Sequence, residues 1–323
     1  MKLNEFNAQD SKREIEQVYK SAKKVIEKQQ QMIDALKCVN PVSLPTTKSV
    51  KSGGSFLRAV IADVHGVFCD RSALSAFLSD MEAIKPKELF ILGDFMTCDG
   101  FLAQHHVMGF VSQTKYTWED DIHACNTFLD RFCAIFEKVL YLTGNHESRI
   151  MRQLISWSIQ SGASMNFVLK SLIKTFAVEN VLELEKRGIE FLMPEEKPEN
   201  VQQYGVYRGG KSLYMHTGFE RGAGGIMAAP KHLQKFGTNV CAAHTHINLS
   251  YTQTEGDRGE TISYRNPGCL CEKQPLWKHS EPSGWTNGYI LEIVKPDGAF
   301  LSLNVPIING VSLFPILAEK ISK

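Results

Sequence analysis

No run of apolar residues in this 323-residue chain approaches the roughly 20 needed to cross a bilayer. The N-terminus, rich in Lys, Glu and Gln, lacks a signal-peptide core. These absences exclude a membrane partner from the reading and make cytoplasmic the expected location. An excess of one charge is missing as well: Lys+Arg 36 against Asp+Glu 35 leaves +1, so no bulk field draws the chain to nucleic acid. Nucleic acid as a partner therefore has no support from charge and reduces to local contacts, for which Lys48, Lys51 and Arg58 are the basic residues at hand. Cysteine is sparse and scattered, at 38, 69, 98, 125, 133, 241, 269 and 271, without the dense spacing of a disulfide framework. Reduced, buried thiols are expected, and the close pair Cys269-Leu-Cys271 is by itself weak ground for a metal site. What remains, 43% hydrophobic and 22% charged residues, is an ordinary globular composition that excludes disorder throughout.

The pattern along the chain predicts three parts. Over residues 1–38, Ile15, Val18, Ala22, Val25, Met32 and Leu36 recur at a spacing of three and four, with Gln29 in one seam position. This is a helix with an apolar stripe; a coiled coil joining two protomers through 15–36 and a helix docked on its own domain fit it equally. Residues 39–55 carry two prolines, two glycines and six Ser/Thr and read as a linker. From 56 to 323 strand and helix patterns alternate. Phe56–Ala62, Glu88–Leu92 and Lys138–Leu142 read as strands, with helical spacing over Ala73–Ile84 and 118–136 between them. A helical region from Glu147 to Lys186 follows. Strands then dominate, around 211–216, 239–243, 260–265, 287–294 and 299–304. A right-handed parallel β-α-β start and a strand-rich second half predict a two-sheet α/β sandwich.

The ends of the strands carry the chemistry. VIADVHG ends in Asp63 and His65, FILGD in Asp94, YLTGNHE in Asn145, His146 and Glu147, LYMHTG in His216, and VCAAHTH in His244 and His246. Any one of these taken alone is most simply a solvated or hydrogen-bonded side chain. Five strands in succession running out into metal-ligand types is another matter, because the carboxyl ends of strands in an open α/β sheet are where a ligand crevice lies. A carboxylate such as Asp94 can bridge two divalent cations about 3.5 to 4 Å apart, while imidazoles and a neutral amide fill the shells without cancelling the positive charge. Water held between such cations loses a proton near neutral pH, which points to hydrolysis of a phosphate ester.

In order and context these blocks, D-x-H, G-D, G-N-H-E, a strand-terminal H and H-x-H, resemble the calcineurin-like metallophosphoesterase superfamily over residues 60–268. The resemblance implies a four-layer α/β/β/α sandwich and two divalent metal ions, with Mn foremost and Fe, Zn or Ni compatible with the same donors. It implies that Asp63, His65, Asp94 and His246 hold one ion and Asp94, Asn145, His216 and His244 the other, with His146 as the catalytic histidine. Ala62 and Ala243 stand where Gly or Ser is usual. Thr97 replaces the acid that usually orients the histidine, with Asp99 two positions on. Fifty residues separate Asp94 from Asn145, an insertion placed to wall the substrate cleft. Its His105, His106 and His123 read as surface or hydrogen-bonded residues.

GNHESR, Gly144–Arg149, is similar to the block in serine/threonine protein phosphatases, but the second block GDFMTCDG lacks their arginine. Asn266-Pro267-Gly268 instead resembles the segment following H-x-H in small phosphodiesterases, so a phosphodiesterase is the leading expectation and a protein phosphatase the alternative. Arg149 and Arg221 are the candidate phosphate clamps, since guanidinium binds oxyanions bidentately. Gly205-VYRG-Gly210-Lys211-Ser212 satisfies a literal P-loop pattern, yet EKPENVQQY before it and LYMHTG after it are the wrong context, and Gly209-Gly210 reads as a hairpin turn. A further alternative of another class keeps the metals but drops catalysis, as an interaction scaffold.

Overall fold

A computed structural model describes residues 54–98, 117–149, 166–192, 196–197, 200–201, 206–216, 226–254, 259–275, 283–312 and 314–315, with single positions between 16 and 30 and at 153, 156 and 160. The chain divides into two units, Met1–Lys51 and Ser52–Lys323. In the first, the described positions between 16 and 30 are helical. The seam residues Ile15, Val18, Ala22, Val25, Gln29, Met32 and Leu36 lie outside the described residues, as do 39–53 of the expected linker.

In the second unit β1 (Phe56–Ile61) leads through helix α1 (Arg71–Ile84) to β2 (Glu88–Leu92), and helix α2 (Trp118–Ile135) leads to β3 (Lys138–Leu142). After α3 (Asn166–Phe176) and the short α4 (Val178–Val181) come β4 (Glu190–Leu192), β5 (Glu196–Lys197), β6 (Asn200–Val201), β7 (Val206–Gly209) and β8 (Ser212–Met215). Helix α5 (Ala228–Phe236) precedes β9 (Asn239–Ala242), β10 (Asn248–Thr254), β11 (Thr261–Pro267), β12 (Asn287–Val294), β13 (Phe300–Ile308) and β14 (Val311–Ser312). One sheet has the order β14-β13-β12-β1-β2-β3-β4 and another β10-β11-β9-β8-β7. Strands β1 to β4 are parallel, with β12 antiparallel on the other side of β1.

Strand periodicity sorts the side chains into layers. Ala59, Ile61, Leu89, Ile91, Val139 and Tyr141 face helices α1 and α2, packing with Phe77, Met81, Leu129 and Phe132. Their neighbours Val60, Ala62, Phe90, Leu92, Leu140 and Leu142 face the other way and meet Tyr214, Cys241 and Ala243 of the second sheet. The outer face of that sheet, with Leu213, Met215, Val240 and Ala242, is covered by Ala229 and Leu233 of α5. Helix, sheet, sheet, helix is thus the order of layers. Burial on both faces is why β1 to β3 read as continuous apolar runs.

The expected strands and the first two helices stand within a few residues of their predicted bounds. The hairpin expected at Gly209-Gly210 is present, joining β7 to β8 with Gly210 in the left-handed region. Arg58 departs from expectation. It is 6% exposed on β1, bound to Glu88 at 2.7 Å and to the Tyr214 hydroxyl at 2.9 Å, so it is consumed between the sheets and offers nothing to nucleic acid. The described cysteines are all free. Among the described residues no helix is long and apolar enough to cross a membrane.

Candidate metal centre

Asp63, Asp94 and Asn145 follow β1, β2 and β3, and His216 and His244 follow β8 and β9, so all stand at the carboxyl ends of their strands. The loops leaving β1 and β2 are laced together. Asp63 N–H donates to the Gly93 carbonyl (3.1 Å), His65 N–H to that of Asp94 (3.0 Å) and Gly66 N–H to that of Phe95 (2.9 Å). Asp63, His65, Asp94, His244 and His246 all have φ in the left-handed region, at 51°, 54°, 47°, 85° and 58°. Residues other than glycine occupy it at a cost of about 1–3 kcal/mol each and do so where surrounding structure imposes it.

Part of that imposition comes from Glu147. Its buried carboxylate accepts N–H groups of Phe95 (2.7 Å), Gly144 (2.8 Å), Met96 (3.0 Å) and Asp94 (3.1 Å), and the Tyr141 hydroxyl (2.7 Å). Burial and the neighbouring Asp94 raise its pKa, while the bonds from Tyr141 and Met96 act against them. Asp94 in turn accepts the His146 N–H at 2.8 Å, so the loops after β2 and β3 are latched in both directions. The latch needs two glycines. A Cβ on Gly93 would lie 2.6 Å from the Gly144 Cα, and one on Gly144 would lie 2.2 Å from an Asp94 carboxylate oxygen.

The side chains converge. Asp63 Oδ1 is 3.1 Å from His246 Nε2 and 3.3 Å from His216 Nε2, which is itself 3.1 Å from Asp94 Oδ2. His65 Nε2 and His246 Nε2 are 3.4 Å apart, and the His216 and His244 rings are 5.1 Å apart between centroids. Donor atoms of His65, Asp94 and His146, of Asp94, His216 and His244, and of His65, His246 and Cys271 lie within 4.8 Å of one another in each trio. Asn145 is half-buried in the loop between Gly144 and His146. Asp99 and Arg221 lie outside the described residues, as do His105 and His106, whereas His123 is exposed on α2.

Charge is heavily compensated in this cluster. Burial raises the Asp63 and Asp94 carboxyls, but attraction and hydrogen bonding to His246 and His216 outweigh it and hold both below the ordinary carboxylate range. Burial opposes protonation of His216 and His246 too, yet the carboxylates beside them push each up to about 10. His244 is driven down to about 3 by burial and by His216, and burial with His146 and His246 lowers His65 in the same way. Two buried acids thus favour the protonated form of two imidazoles, side chains of a type that can hold a metal. His216 Nδ1 and His244 Nδ1 are buried with no hydrogen-bond partner among the described residues. Paired carboxylates, four imidazoles and orphaned ring nitrogens suit divalent cations with mixed N/O shells. The residues fit the group the motifs imply.

His146 sits at the edge of the cluster, its ring 4.5 Å from that of His65 and its Nε2 3.8 Å from Asp94 Oδ2. Its Nδ1 lies 2.5 Å from the Thr97 carbonyl and its Nε2 2.9 Å from Arg149 Nη2. A carbonyl only accepts and a guanidinium only donates, so Nδ1 carries the hydrogen and Nε2 is the acceptor. Trp285 packs against His246 with 3.9 Å between ring centroids and the planes tilted by 51°. Sequence reasoning passed over Trp285, the carboxylate role of Glu147 and the Thr97 carbonyl. Only Glu147 carried a signal, as the last letter of G-N-H-E.

No family model matches the chain, and no curated protein matches it. Among solved structures, vacuolar protein sorting 29 from Cryptosporidium parvum is 12% identical, with 80% of this chain and 94% of that one covered at a TM-score of 0.40. Vps29 from Entamoeba histolytica complexed with zinc is 13% identical, covering 79% and 95% at 0.39. A metallophosphoesterase from Sphaerobacter thermophilus is 16% identical, covering 77% and 88% at 0.37. Layer order and strand order, read from the molecule itself, make this a four-layer α/β/β/α sandwich with each motif seated at a strand end, the fold that the resemblance of the motifs implied.

Proposed function

We propose that this chain is a dinuclear-metal-dependent phosphoesterase acting on phosphate diesters. The observation that carries the reading is the meeting of Asp63, Asp94, His65, His216, His244 and His246 at one buried point, with His146 and Arg149 paired at its rim. Asp63, His65, Asp94 and His246 would hold one cation, and Asp94, Asn145, His216 and His244 the other. Bound there, divalent cations supply a water of lowered pKa and polarise phosphoryl oxygens. His146, with Nδ1–H kept on the Thr97 carbonyl, takes up a proton from solvent at Nε2 once Arg149 has turned away from it, and passes that proton to the leaving oxygen. Arg149, which now donates to that same nitrogen, is placed to turn its guanidinium onto the phosphoryl oxygens. Arg221 is the second candidate clamp. Asp94, close to donors of both sets, would be the carboxylate shared between them.

Purified protein with Mn²⁺ is expected to hydrolyse bis-p-nitrophenyl phosphate, with His146→Ala lowering kcat by about 10²–10⁴ and Asp94→Asn abolishing turnover. Inactivity with every divalent metal, in a chain that binds the metal, favours the scaffold. A phosphopeptide cleaved far faster than the diester favours a protein phosphatase.

A further inference from the structure

Thr97 stands where the resemblance places an acid, and its side chain does not replace one: the Thr97 hydroxyl donates to the His65 carbonyl. The backbone takes over. Thr97 C=O accepts His146 Nδ1–H at 2.5 Å, and the N–H of that same peptide unit, on Cys98, donates to Asp121 Oδ2 at 3.0 Å. Thr97 N–H donates to the same oxygen at 3.0 Å, and Val67 N–H to Asp121 Oδ1 at 3.2 Å. Asp121 projects from α2, is 1% exposed, and so ties that helix to the loops leaving both β1 and β2. The fit is made for a carboxylate: a Cβ at Gly66 would lie 1.7 Å from Asp121 Oδ1, so a glycine keeps that space open.

We propose that Asp121 is the positioning residue of His146, acting through the Thr97–Cys98 peptide. The carboxylate, the amide and the imidazole form one line of hydrogen bonds in which each bond polarises the next. An acid supplied by the helix after the insertion, with a peptide plane between, thereby does the orienting that a neighbouring acid would do directly. It holds Nδ1–H toward Thr97 and leaves Nε2 aimed at Asp94 and Arg149. The inference rests on His146 being the general acid of the proposed phosphoesterase, but the geometry of the relay is testable without turnover.

Two measurements on the full chain decide it. In a two-bond ¹H–¹⁵N spectrum of the imidazoles, wild type is expected to show His146 as the Nδ1–H tautomer, and Asp121→Asn to lose that single tautomer; an unchanged His146 pattern in the variant overturns the proposal. For methyl aryl phosphates from nitrophenyl to phenyl, Asp121→Asn is expected to lower kcat at least about tenfold for phenyl and less than about threefold for nitrophenyl. KM should stay level, and the variant should cost nothing further in a His146→Ala background. Equal loss along the series, or an additive loss in the double variant, overturns it. Wild-type inactivity on all esters sinks the phosphoesterase reading alone, since the tautomer measurement still reports on Asp121. If Asp121→Asn fails to fold, a hydrogen-bond coupling between His146 Nδ1 and the Thr97 carbonyl carbon in wild type supports the relay, and an Nε2–H tautomer overturns it.

Discussion

At the scale of single residues, one buried carboxylate organises much of the candidate site. Glu147 accepts from four backbone N–H groups and one hydroxyl, all in or beneath the loops that carry Asp94 and His146. Glu147→Gln turns one acceptor oxygen into a donor facing those N–H groups, and leaving a buried donor unsatisfied costs about 1–3 kcal/mol. Urea unfolding is expected to show a loss of that size, and metal affinity by calorimetry should fall with it because Asp94 is no longer held. A variant with wild-type stability and affinity would contradict the latch. Residue types were legible here and partners were not: D-x-H and H-x-H mark donors, whereas Asp121 reads in the chain only as one of three acids opening a helix, where they complement the macrodipole.

Elements with a strong period were read well, and the others escaped for physical reasons. Helix α1 is started by Asp70, whose carboxylate accepts from Ser72 N–H at 3.0 Å and Ala73 N–H at 3.1 Å. Asp70→Ala should cost about 1 kcal/mol of stability, seen as a lowered urea midpoint with metal affinity unchanged; a drop in affinity would mean that the cap also shapes the site. Strand β10, NLSYTQT, was missed because its residues are mostly polar and lie at the sheet edge, pairing among the described strands with β11 alone. Helix α5 was missed because it is short and holds Pro230, which is tolerated only because it falls in the first turn. Of the long helical region expected from Glu147 to Lys186, residues 147–149 and the described positions 153, 156 and 160 are helical, α3 and α4 follow with turns over 182–188, and the rest of 150–165 lies outside the described residues.

At the largest scale, the second unit has two sheets pressed face to face with a charged knot at one place in the interface. Glu292 receives the Tyr214 hydroxyl at 2.6 Å and pairs with Arg265, while Arg58 bridges Tyr214 and Glu88 with its guanidinium over the Phe90 ring at 4.0 Å. Cys241 lies in the same interface. Burial pushes its thiol up to about 12, with Arg265 acting against it, whereas an unfolded cysteine ionises near about 8.5. Between those values the folded chain keeps a proton that the unfolded chain has released. Stability from this group is therefore full below about 8.5 and is lost as pH rises toward the folded value. Urea midpoints should fall from about pH 8 to about pH 10, and the fall should be shallower in Cys241→Ala. An identical slope in the variant would show that the thiol is not buried as described.

The order of the strongly periodic strands and helices, the apolar runs of β1 to β3 and the identity of the clustered side chains were determined by the sequence alone, because period, apolar runs and residue chemistry are local properties of the chain. Tertiary structure decided what no local pattern holds: that Arg58 is buried between sheets, that Glu147 latches two loops, and that His146 finds a peptide carbonyl backed by Asp121. Each depends on which strand end comes to lie beside which, and that follows from the packing of two sheets and their covering helices.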